Sequence, residues 1–280
     1  MKLQQLIYTS LLVAAVSFSS CNNDDKKTET GTKETEVKEP RLKEDNVSYT
    51  GDGIIMNGFV VYDENKEGAR PAVLVIHEWW GLNDYVKGRA RQLAELGYIA
   101  MAVDMYGNGK TADNPDSAGK YATPFYKDPK MTKARFDAAL EKLKSYSQTD
   151  GNKIAAIGYC FGGAQVLNLA RLGEDLKGVV SFHGNLLGVP LDKNKLKADI
   201  LVCHGAADPF VPQKEVDLFK QQMDSAGAKY TFKAYESAVH AFTNPDATAM
   251  GEKFKIPIKY NAAADSASWN DMKEFFGKIF

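Results

Sequence analysis

The chain has 280 residues, 44% of them hydrophobic, and a formal net charge of -1. That length suits one α/β domain with appendages, which buries roughly three quarters of its unfolded surface and needs no covalent staples. A near-neutral charge with no basic stripe in the body gives no electrostatic reason to expect nucleic acid, and no cofactor or metal is expected either.

Met1-Lys2, an apolar run from Leu6 to Phe18 and then Ser19-Ser20-Cys21 read as a secretory signal over residues 1–20. The run is shorter than the about 20 apolar residues a membrane span needs. Its Phe18-Ser19-Ser20-Cys21 junction resembles a bacterial lipoprotein signal, which makes Cys21 the lipidated first residue of the mature chain. Residues 21–46 mix Lys, Glu, Asp and Thr with almost no large apolar side chains, so they are expected to be a flexible spacer. The expected location is the cell envelope, reached by export, with the membrane held through the N-terminal lipid only. Cys160 and Cys203 then remain, and the pattern places them two strands apart, about 9–10 Å. A disulfide spans no more than about 7 Å, so both thiols are expected to be free.

The folded domain is expected over residues 47–280. Gly53 to Asp63 alternates like antiparallel edge strands, with Asp63-Glu64-Asn65-Lys66 as a turn. Ala72-Val73-Leu74-Val75-Ile76-His77 is a continuous apolar run, the mark of a strand covered on both faces. A helix follows, capped by Asn83 or Asp84, with Val86, Ala90 and Leu93 on its inner face and Gly97 at its stop. Tyr98 to Asp104 is the next strand. From Tyr106 to Lys127 the composition turns to Gly, Asn, Asp and Pro, which predicts a long loop or lid.

Asp128-Pro129 opens a helix with Phe136, Leu140 and Leu143 inward. Lys153 to Ile157 is a strand and Gly163 to Leu172 a helix. Strands at Gly178–Phe182, Asp199–His204 and Tyr230–Tyr235 follow, with a helix over Val211–Ala226 between the last two. A final helix carries Trp269, Met272, Phe276 and Ile279 on one face. Strands alternating with helices predict an α/β class: a mostly parallel twisted sheet with helices on both faces.

Between the strand at Lys153–Ile157 and its helix lies Gly158-Tyr159-Cys160-Phe161-Gly162. Strand, Gly-x-nucleophile-x-Gly, helix is the nucleophile turn of α/β-hydrolases, here with a thiol. A thiol nucleophile needs a base, and the base an orienting carboxylate, in the chain order nucleophile, acid, histidine. Of four histidines, His77 precedes the turn, and His183 leaves no room for an acid strand before it. His204 has no acid just past a buried strand before it. His240 remains, and Asp208 lies just past the strand ending at Cys203-His204. Carboxyl ends of strands are where open α/β sheets carry their sites. The expected triad is therefore Cys160, Asp208 and His240. The amides of Phe161 and Trp79 are the expected oxyanion donors. Trp79 and Trp80 could be plain core aromatics, but one of them is expected to line the acyl pocket, the residues alone not deciding which; Trp80, Tyr106 and Phe242 are taken as the substrate pocket.

Glu78-Trp79-Trp80-Gly81, Gly158-Tyr159-Cys160-Phe161-Gly162-Gly163, Asp208-Pro209-Phe210-Val211-Pro212 and His240-Ala241-Phe242 together make the chain resemble the dienelactone hydrolase family, from about Gly53 to Phe280. The resemblance implies a Cys-Asp-His hydrolase with an α/β-hydrolase fold. It also implies an accessory role for Glu78, since a glutamate at that place contacts the resting thiol in the family. Enzymes of the family acting on dienelactone hold the substrate carboxylate with two arginines. This chain has Met105-Tyr106-Gly107-Asn108 and Phe242-Thr243-Asn244 where they are expected. An amide does not replace a charged bidentate fork. The expected function is therefore hydrolysis of an ester, lactone or thioester bond in a neutral small molecule. Two rivals stand beside it. One is a non-catalytic, surface-anchored ligand-binding protein on the same scaffold. The other is a metal site built from His77, Glu78, His183 and His204.

Overall fold

The computed structural model describes residues 39–280, which form one compact unit. The signal over residues 1–20, the lipidation at Cys21 and the spacer as far as residue 38 lie outside the described residues. Leu42–Gly51 (β1) and Ile54–Asp63 (β2) form an antiparallel hairpin, turned at Asp52-Gly53 with φ of 54° and 72°. Left-handed Asp-Gly is the turn that matches the twist of paired strands. The partner of β2 thus comes from upstream, and Leu42 to Asn46, expected in the spacer, are strand. Their charges suit an exposed edge, where they deter further pairing, and Arg91 forks onto Glu44 at 2.6 and 3.0 Å.

The remaining elements follow in order. They are Arg70–Ile76 (β3), Asp84–Glu95 (α1), Ile99–Val103 (β4), Pro115–Lys127 (α2), Pro129–Lys144 (α3), Thr149–Tyr159 (β5), Phe161–Leu172 (α4) and Gly178–Phe182 (β6). Asp199–Gly205 (β7), Gln213–Ala226 (α5), Tyr230–Tyr235 (β8), Ala247–Phe254 (α6) and Ala262–Ile279 (α7) complete the domain. The sheet runs β1-β2-β4-β3-β5-β6-β7-β8, antiparallel across β1, β2 and β4 and parallel from there to β8. Successive strand residues face opposite layers. Leu74 and Ile76 pack with Phe136, Val166 and Phe219 under α3, α4 and α5, while Val73 and Val75 pack with Val86, Leu93, Met272 and Phe276 under α1 and α7.

The loop or lid expected over 106–127 is a helix from Pro115 onward. Asn114 caps it by accepting from the Ser117 amide at 2.9 Å, Pro115 sits in its first turn, and Ala118, Ala122 and Phe125 are buried at helical spacing. Helix α6 was also not anticipated; Ala247 and Gly251 bury its short face against Ile258. Among the described residues no helix is long and apolar enough to cross a membrane.

Candidate active site

The nucleophile turn follows from close packing of β5 and α4. A Cβ on Gly162 would come within 2.7 Å of the His77 carbonyl oxygen, and one on Gly158 within 2.7 Å of the Gly163 amide. Only hydrogen fits at either place, so α4 can start directly above the strand ends. The turn forces Cys160 to φ 52°, ψ -114°, a region that non-glycine residues rarely occupy. The Cys160 side chain is part-exposed at the carboxyl edge of the sheet, whereas Cys203 is buried, and both thiols are free.

His240 lies past β8, and its Nε2 is 3.0 Å from Cys160 Sγ. Its Nδ1 is 2.8 Å from Asp208 Oδ2, in the turn that follows β7. The other Asp208 oxygen accepts from the Phe210 amide at 2.8 Å, which fixes the carboxylate plane. The Phe210 ring covers the imidazole edge-on at 5.0 Å. Burial works against charge on His240. Negative charge on Cys160 and the bond to Asp208 outweigh it, and the imidazole is pushed up to about 10.

The amides of Phe161 and Trp79 have no acceptor among the described residues. His77 holds their two segments together. Its Nδ1–H donates to the Glu78 carbonyl at 2.5 Å, its Nε2 accepts from the Met105 amide at 3.3 Å, and its ring stacks on Phe161 at 5.6 Å. Burial pushes His77 down to about 4, which keeps it the neutral ring this double role requires.

Glu78 is buried, and its carboxylate accepts from Asn244 Nδ2 at 2.6 Å rather than contacting the thiol. Burial pushes its carboxyl up to about 7, against the opposing pull of Asn244 and His240. Asn244 belongs to the stretch Phe242-Thr243-Asn244 in which the family resemblance placed an arginine. An amide hydrogen-bonds the acid without supplying a positive charge.

A cavity of about 300 Å³ opens at Cys160 and His240, lined mainly by Trp79, Trp80, Tyr126, Phe210 and Ile258, with no lysine or arginine among the described residues. Trp80 lines it. Tyr106 and Phe242 do not. Tyr106 is buried behind the wall, where its hydroxyl donates to the Trp79 carbonyl at 2.9 Å. At Ala241 the chain has φ 57°, and Phe242 is fully buried edge-on to His183 at 5.2 Å. Sequence reading missed the wall that α2 supplies through Gly119, Ala122, Thr123 and Tyr126. Their spacing of three, one and three is a helical stripe, visible once the segment is read as a helix.

Three of the four residues weighed as metal ligands are engaged elsewhere, and the fourth, His204, is buried with its Nδ1 unpaired and in no cluster of candidate ligands among the described residues. Both ring nitrogens of His77 and of His183 are in hydrogen bonds, and Glu78 faces Asn244. His204 lies against Phe232. Among the described residues no three His, Cys, Asp or Glu side chains converge as a metal site would.

A mixed eight-stranded sheet flanked by helices, with a thiol turn between β5 and α4, defines an α/β-hydrolase fold. Within that fold the chain belongs to the dienelactone hydrolase family, whose model matches residues 56–280. It is 32% identical over 236 residues to Protein usf of Aquifex pyrophilus, covering 82% of this chain and 96% of that one. It is 30% identical to a provisionally named carboxymethylenebutenolidase of Aquifex aeolicus, over 71% of this chain and 86% of the relative. Among solved structures, a dienelactone hydrolase-like promiscuous phosphotriesterase from metagenomic libraries superposes with a TM-score of 0.80 at 37% identity, covering 85% of this chain and 99% of that one. Membership makes the chain a hydrolase-family protein whose substrate is a small molecule.

Proposed function

We propose that the chain hydrolyses ester, lactone or thioester bonds of neutral substrates through an acyl-cysteine intermediate. The observation that carries the reading is the unbroken line from Cys160 Sγ through His240 to Asp208 at the mouth of an apolar cavity. Cys160, its thiol proton passed to His240, attacks the carbonyl carbon, and the amides of Phe161 and Trp79 stabilise the oxyanion. His240, held in register by Asp208, gives a proton to the leaving alcohol or thiol. It then takes one from the water that cleaves the acyl-sulfur bond.

Among the described residues no lysine or arginine lines the cavity to hold a substrate carboxylate, the His240 imidazole is already engaged by Cys160 and Asp208, and Glu78 disfavours an anion, so anionic dienelactone is not the proposed substrate. A panel of neutral esters, lactones, thioesters and one uncharged phosphotriester, each beside a carboxylate-bearing analogue, tests this. Turnover of the neutral members and at least tenfold lower kcat/KM for the anionic ones is expected, a factor of ten being about 1.4 kcal/mol. The phosphotriester is included because the superposed neighbour at 37% identity is named for that reaction. Rapid alkylation of Cys160 with no turnover of any member would instead make this a ligand-binding protein.

The N-terminal sequence supports an exported form anchored by lipid on Cys21. Cys21→Ala should move the protein from the membrane to the soluble fraction of cells. If the variant stays in the membrane fraction, the anchor is wrong.

A further inference from the structure

We infer that His183 and Thr243 are positioning residues that tie the backbone of Cys160 to the segment carrying His240. The inference rests on the proposed role of Cys160 as nucleophile, and it begins with the strain at that residue. A side chain held at φ 52° keeps its geometry only where its surroundings over-determine it. The Cys160 amide is shared between the Phe182 carbonyl at 2.9 Å and His183 Nδ1 at 3.1 Å.

Because Nδ1 accepts, the proton of His183 sits on Nε2, and Nε2–H donates to Thr243 Oγ1 at 2.7 Å. The Thr243 hydroxyl also shares a hydrogen bond with the Tyr85 hydroxyl, at 2.7 Å. The carbonyl of Thr243 accepts from Arg89 at 2.6 Å, and the same guanidinium pairs with Asp265 at 2.5 Å. The two ring nitrogens of His183 therefore join the nucleophile's own amide to a residue three places past His240. That residue is itself anchored to α1 and α7.

His183 is 1% exposed and itself at φ 41°, with its amide donating to the Cys203 carbonyl at 2.8 Å. Its ring lies edge-on to His240 at 5.3 Å. Burial first, then the neighbouring charges of His240 and Arg89, keep His183 neutral, so its acceptor on the Cys160 amide persists. His183, Thr243, Tyr85, Arg89 and Asp265 do not line the cavity, and their effect on chemistry runs entirely through the placement of Sγ and of the His240 ring. Catalytic geometry is unforgiving: an error of about 1 Å lowers turnover by roughly 100-fold.

Thr243→Val keeps the shape and removes the hydroxyl, leaving His183 Nε2–H without its acceptor. In the full chain we expect the ultraviolet absorbance of the Cys160 thiolate and its alkylation rate by iodoacetamide to fall. On a substrate from the ester panel, kcat should drop about 10- to 100-fold with KM little changed. Thr243→Ser should restore all three. The alkylation and absorbance readouts need no substrate, so the relay is tested even if the esterase reading fails. His183→Asn, which retains an acceptor near the Cys160 amide but cannot reach Thr243, carries the test if Thr243→Val does not fold, and should show the same losses. Wild-type alkylation and absorbance in a folded variant overturn the inference. So does a loss that Thr243→Ser does not repair, or one that only tracks a lowered Tm.

Discussion

Cys160→Ala is expected to lower hydrolysis of any substrate from the neutral panel by on the order of 10⁴- to 10⁶-fold while leaving the fold intact. Members of a catalytic triad act as a unit, so losing the nucleophile forfeits nearly all of its contribution. The substitution removes a part-exposed side chain at a turn whose shape is set by its flanking glycines and by the amide bonds of Cys160. Little core packing is lost. A second readout separates this from accidental misfolding. Burial alone would hold the His240 imidazole low, and Cys160 and Asp208 together bring it up to about 10. Without the sulfur, the pKa of His240 should fall, as followed by NMR of the ring protons. An unchanged His240 titration, or retained turnover, would remove Cys160 from the chemistry.

Glu78→Gln should gain stability over wild type as the pH rises. In the folded protein burial pushes the Glu78 carboxyl up to about 7 from its ordinary 4.5. Between those values the unfolded chain has released the proton and the folded chain still holds it, so the wild type loses stability as pH increases. Above about 7 the full penalty is present. A neutral glutamine does not titrate, and its side-chain oxygen can still accept from Asn244. The stability difference between variant and wild type should therefore shift toward the variant by on the order of 3 kcal/mol between about pH 4 and about pH 8. Denaturant unfolding at several pH values measures it. A difference that stays flat would mean that Glu78 ionises in the fold as easily as in water.

Much of this molecule was legible in the chain because its signals are local. The unbroken apolar runs at β3 and β5, the Asn83 cap of α1 and the Gly-Tyr-Cys-Phe-Gly turn each carry their reason within a few residues. Three features did not. Helix α2 hides behind Gly119 and Pro124, which read as breakers until the buried face of Ala118, Ala122 and Phe125 is seen to hold the turn together. Strand β1 looks like spacer because an edge strand needs few apolar residues, and its pairing with β2 is a non-local fact. Tyr106 and Phe242 sit beside site residues in sequence, yet a single left-handed residue, Ala241, sends the second ring into the core. The partners of Glu78 and His183 were invisible for the same reason: Asn244 and Thr243 meet them only after the chain has folded back.

A wall without lysine or arginine bears on how the reaction ends as well as on what enters. On the proposed chemistry, a neutral molecule arrives and an acid is left behind, ionised at neutral pH. No lysine or arginine among the described residues lines the cavity to retain the newborn anion, the His240 imidazole is already engaged by Cys160 and Asp208, and buried Glu78 repels it. Expulsion of product is thereby favoured by the same vacancy of charge that turns acidic compounds away at the door, and accumulated acid should inhibit the enzyme only weakly.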